Sequence, residues 1–180
     1  MKFYIDIFKN IASEENGKFY FSDEGLAIGW GVRSPQMTFQ LEIPYKDYII
    51  YISNKTGTQY IGRCICKLPL AIKAPDFTIE TKSHFSTLFS FNKNNRFKII
   101  SKHKKLSVFL KDNDTLKQLN KIAKDSIFEP TISGTNSETE YILTTKYHLE
   151  FDNWTHVLKP LIKLNKELIN ILTTRDYSLV

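Results

Sequence analysis

Six cations crowd one short stretch of this chain: Lys93, Arg96, Lys98, Lys102, Lys104 and Lys105, with Phe97 among them and no acid between 93 and 105. Lysine and arginine neutralise phosphates, so this segment reads as a candidate surface for phosphate or nucleic acid. The same residues suit a solvated strand edge, where lysines discourage edge-to-edge pairing. No recognition-helix, zinc-finger or RNP-type signature accompanies them, so they form a candidate binding surface without a named ligand.

Other residues with chemical potential are scattered. His84, His103, His148 and His156 contain no pair at the i,i+4 spacing that places two metal ligands on one helix face. Cys64 and Cys66 lie two apart, which on a strand points both to one face. Cys-x-Cys alone is thin support for zinc, and such near neighbours rarely form a disulfide. Asp112-Asn113-Asp114 opens like a calcium loop, but Leu116 takes the next ligand position and no glycine supplies the turn. It reads instead as a helix start. Gly29-Trp30-Gly31 is too short to cradle a phosphate. Ser101-x-x-Lys104 and Lys55-Thr56-Gly57 match fragments of penicillin-interacting enzymes in the wrong order and without the third element. Glu138 and Glu140 sit in a polar stretch where water would solvate both, so nothing would split their pKa values for acid–base work. No Gly-x-Ser-x-Gly elbow or reactive-cysteine motif is present. No catalytic residue, metal or cofactor is therefore expected, and an enzyme is the weakest reading.

The elements that would position these residues form a run of strands followed by amphipathic helices. An N-terminal stripe of Tyr4, Phe8, Ile11 and Ala12 predicts a short helix ending at Asn16-Gly17, although Phe3, Ile5 and Ile7 also alternate as a strand would. Strands are predicted over 19–21, 26–32, 38–43, 48–52, 60–68, 77–81, 96–101, 128–132 and 140–149. Pro44 is read as the stop of the 38–43 strand. Residues 83–91 read as a loop or a helical turn, and 106–110 as a helical turn. Asp114 is placed to cap a helix through residue 124, and Asp152 or Asn153 to cap one over 153–172. Pro160 falls inside that last helix and removes its bond to the carbonyl of His156. The expected architecture is α+β: a largely antiparallel, twisted sheet with two or three helices on one face, the C-terminal one longest. Length favours one domain over residues 1–180, with a possible sub-boundary near 69–76 and a split into two smaller sheets as the alternative.

The net charge of +6 is concentrated. Residues 93–124 carry an excess of +8, whereas 125–152 carry −5. Oppositely charged segments and absent catalytic motifs point to a non-catalytic module that binds another protein. A neutraliser of a toxin or effector, in the manner of bacterial immunity proteins, fits that description. A small-molecule or lipid-headgroup binder is the alternative, with Tyr45, Tyr48, Tyr51 and Tyr60 lining a pocket closed by the last helix. A nucleic-acid binder acting through 93–105 is the third reading. No apolar stretch approaches the roughly 18 residues needed to span a bilayer, and no secretory signal is read, so a reduced cytoplasmic protein is expected.

Overall fold

Ile7, Phe8, Ile11 and Ala12 recur at helical spacing, and they form the buried stripe of the first element, α1 (Lys2–Glu14). A computed structural model describes residues 2–27, 29–31, 33–57, 59–70, 74–82, 95–151 and 153–174. The helix ends where the sequence suggested. Asn16 takes a left-handed φ of 51°, and Gly17 donates to the carbonyl of Ala12 at 2.7 Å. A side chain at Gly17 would meet the carbonyl oxygen of Glu42 at 2.6 Å, so only glycine lets the chain pass that close to its neighbouring strand.

Alternating apolar residues then build one eight-stranded sheet. Its strands are β1 (Lys18–Asp23), β4 (Met37–Tyr45), β5 (Tyr48–Thr56), β6 (Ile61–Pro69), β7 (Phe77–Thr81), β8 (Phe97–Ser101), β9 (Thr131–Asn136) and β10 (Glu140–His148). The spatial order is β1-β4-β5-β6-β10-β9-β7-β8, antiparallel at every junction. β4, β5 and β6 form a meander. The chain then skips two positions to lay down β7 and β8, and β9 and β10 later fill the gap. The 69–76 segment thus links strands of the same sheet.

Inward residues alternate along each strand: Phe39, Leu41 and Ile43; Ile50 and Ile52; Cys64, Cys66 and Leu68; Tyr141, Leu143 and Tyr147. Pro44 does not end β4. β1 begins opposite Glu42, so Pro44 lies where β4 has a described neighbour on one side only, and the strand runs on to a two-residue turn at Lys46-Asp47.

Four described helices cover the inward face, one or two more than expected. The helical turn near 106–110 is a full helix, α2 (Lys104–Asp112), burying Leu106 and Leu110. α3 (Asp114–Asp125) is capped by Asn113, not Asp114: the Asn113 Oδ1 accepts from the backbone N–H of Leu116 at 2.7 Å. The Asn113 amide donates onward to Glu167, as does the Thr115 hydroxyl, so one carboxylate ties the start of α3 to the last helix. That helix, α4 (Trp154–Thr174), begins with Asn153 accepting from the His156 N–H; Asp152 lies outside the described residues. It continues through Pro160. Its Leu158, Leu161, Leu164, Leu168, Ile169 and Leu172 are fully buried, which makes it the central rod of the core. Trp154 at its start sits among Tyr4, Phe8 and Phe39, with ring centroids 4.2–5.9 Å away.

Two strand expectations change. Residues 26–32 do not form a strand; a two-stranded ribbon, β2 (Leu26–Ala27) and β3 (Arg33–Ser34), turns over there instead. Gly29, Trp30 and Gly31 all have positive φ (93°, 53° and 74°), which no strand can hold. The strand expected over 128–132 begins only at Thr131, because Phe128 turns into the core against Tyr147 and Phe151. Residues 83–91 lie outside the described residues.

Candidate binding surface

The cations of 93–105 do not share one environment. Lys93 lies outside the described residues. Arg96 is 2% exposed: its side chain donates to the Lys82 carbonyl at 3.1 Å and to Glu129 at 2.6 Å, and its backbone N–H donates to Asn120. It bridges the start of β8 to α3 and to the approach of β9. Lys98 points outward from β8 and pairs with Glu80 at 3.8 Å. Lys102, Lys104 and Lys105 surround the start of α2, where His103 caps the helix through Nδ1. Two lysines in the first turn of a helix oppose its dipole, so α2 begins with adverse electrostatics. These placements separate roles by substitution. Arg96→Ala is expected to cost about 2–3 kcal/mol, because the Lys82 carbonyl loses its donor and the buried side chain leaves a gap, whereas the exposed Glu129 can be hydrated in its place. Lys102→Ala, Lys104→Ala and Lys105→Ala are each expected within ~0.5 kcal/mol of wild type. Urea unfolding of the four variants checks both statements.

The remaining sequence candidates stay apart. Among the described residues no three His, Cys, Asp or Glu side chains come close enough to hold a metal ion. Cys64 and Cys66 are free, buried thiols on the inner face of β6. Burial pushes the Cys66 thiol up to about 12, and burial together with Cys66 pushes Cys64 higher still, so neither offers a thiolate near neutrality. The four tyrosines do not converge. Tyr45 shares hydrogen bonds with Asn170 of α4, Tyr48 is half-buried, and Tyr51 and Tyr60 face water. The space between sheet and α4 is occupied by the leucines of that helix.

A feature that the sequence reading missed is the sheet's other face. All described helices pack on the inner face, and the outward residues of the sheet meet no second layer among the described residues. Register aligns them into rows. One runs Tyr20, Gln40, Ser53, Arg63, Lys146, Thr131; the next runs Lys18, Glu42, Tyr51, Ile65, Thr144, Ser133, Thr78, Ile100. Tyr20 is 45% and Tyr51 43% exposed, and Ile49, Ile61 and Ile100 are similarly open. The acids on this face are engaged: Glu42 accepts from the Tyr20 hydroxyl, Glu80 pairs with Lys98, and Glu140 pairs with Lys67 at 2.8 Å. Lys55, Arg63 and Lys146 have no acid or hydrogen-bond partner among the described residues. They cluster on three adjacent strands, β5, β6 and β10. Between β6, β10 and β9 the face dips into a shallow hollow of about 410 Å³ that includes Arg63, Lys67 and Lys146.

Arg63 and Lys146 are far apart in sequence, and only the β6–β10 register brings them side by side. The one sequence signal was parity. Once Cys64 and Cys66 face inward, Arg63 and Lys67 must face outward.

An antiparallel eight-stranded sheet with helices on one face defines an α+β protein, and no described helix covers the other face of that sheet. The chain matches no protein-family model, no curated protein and no solved structure. No described helix is long and apolar enough to cross a membrane.

Proposed function

We propose that the protein is a non-catalytic binding module that docks an acidic surface of a partner protein on the open face of its sheet. The observation that carries this reading is the cluster of Lys55, Arg63 and Lys146, which no described acid neutralises, beside exposed Tyr51 and Ile61. Charge complementarity steers such an encounter, and the aromatic and aliphatic residues supply area that a partner can dry. Size fits as well. Four nine-residue strands with β1 and β9 at their flanks cover roughly 800 Å², one side of a standard interface. The interleaved Glu42, Glu80 and Glu140 favour a protein over nucleic acid, whose extended run of phosphates would have to pass all three. Neutralisation of an effector by occlusion is one role such a module serves.

The test compares the wild-type chain with Arg63→Glu/Lys146→Glu as baits in a native cell extract. A protein held at near-equal stoichiometry by the wild type at low salt is expected. Its affinity should fall by a factor on the order of 100 in the reversed variant and decline steeply with ionic strength. Equal capture by both baits would refute the reading, as would retention of RNA or DNA in place of a protein.

A further inference from the structure

The hollow over β6, β10 and β9 holds an excess of hydrogen-bond donors that no acceptor in the described chain satisfies. Arg63 and Lys146 are direct cross-strand partners, an arrangement in which like charges repel. Neither is relieved by an acid among the described residues. Beside them stand the hydroxyls of Thr131, Ser133, Thr135 and Thr144, which also line the hollow and make no hydrogen bond within the described residues. Lys67 closes one side, held by Glu140 at 2.8 Å. Ile65 and Ile142 contribute apolar floor.

We propose that this hollow is a binding site for a phosphate monoester. A tetrahedral dianion resolves the Arg63–Lys146 repulsion by sitting between them. Its oxygens accept from a guanidinium, an ammonium and neighbouring hydroxyls together, and charge-assisted bonds of this kind are the stronger ones. The volume of about 410 Å³ exceeds what a bare phosphate fills, which leaves room over the two isoleucines for the organic part of the ligand. This inference stands on the lining of the hollow and needs no partner protein.

Inorganic phosphate and pyrophosphate, titrated against the full chain at constant ionic strength with chloride as the balancing anion, provide the test. Saturable one-to-one binding is expected, followed by calorimetry or by amide shifts of β6, β9 and β10. Arg63→Ala and Lys146→Ala should each weaken it about tenfold or more. Lys102→Ala/Lys104→Ala should leave it unchanged. Phosphatidylcholine vesicles with and without phosphatidic acid form a second arm, which tells a lipid headgroup from a soluble ligand. Binding in either arm that is lost in the Arg63 and Lys146 variants supports the site. Absence of binding in both arms overturns it, and so does binding that survives in those variants or follows chloride equally. Because no partner protein enters the titration, its failure is separate from failure of the capture experiment.

Discussion

Trp154→Ala is expected to remove about 4 kcal/mol of stability and to lower the thermal midpoint by roughly 8–16 °C. Trp154 is almost completely buried at the start of α4, and Tyr4, Phe8 and Phe39 close around its rings. Those three residues belong to α1 and β4, so the indole holds the first and last helices to the sheet. Truncation leaves a cavity bordered by aromatic rings that cannot collapse without shifting α1. Trp154→Phe is the informative companion. The indole N–H has no hydrogen-bond partner within the described chain, so phenylalanine loses volume but also removes an unsatisfied donor. Its expected cost is below ~1.5 kcal/mol. Paired denaturation curves check the ranking, and equal losses for the two variants would refute the clamp role.

Alkaline conditions are expected to destabilise the fold through the β6 thiols. In the unfolded chain Cys64 and Cys66 ionise near pH 9.0, whereas in the fold Cys66 holds its proton to about 12 and Cys64 beyond that. Above pH 9 the unfolded state therefore binds fewer protons than the native state. The sign follows: this stability is complete below pH 9 and drains away as pH rises towards the folded values. By a pH of about 10.5 the loss amounts to roughly 2 kcal/mol per thiol. Tyr147, buried beside Cys64 and donating to Asn54 at 2.8 Å, adds to the same trend above its ordinary range. Urea midpoints measured between pH 8 and 10.5 should fall continuously, and Cys64→Ala/Cys66→Ala should flatten most of that slope. A slope unchanged in the double variant would place its origin elsewhere.

The elements were legible wherever a single period persisted. Leu158, Leu161, Leu168, Ile169 and Leu172 announce α4, and Phe39, Leu41 and Ile43 announce β4, because burial on one face repeats at the period of the backbone. α2 extends beyond the turn expected over 106–110 because its end residues, Lys104, Lys105, Lys111 and Asp112, carry no apolar signal. The 26–32 strand was misread because the apolar residues there flank a left-handed turn that glycines permit. Strand order was not legible at all. Nothing local in Glu140–His148 says that it pairs with Ile61–Pro69 across some eighty residues; that choice is made by long-range packing. The basic segment was visible as composition, but composition cannot tell that Arg96 is buried while Lys102 is exposed. Arg63 had only the parity of its strand to mark it, and nothing local joined it to Lys146.

The late insertion of β9 and β10 between β6 and β7 also dictates the order of assembly. During synthesis the first hundred residues can form two separate β fragments, each with a raw edge waiting for a mate. Neither edge is satisfied until residues 131–148 have left the ribosome, and α4 can seal the interior only afterwards. Pairing at such sequence separation is expected to make folding slow and to leave the nascent form the stage most open to mispairing.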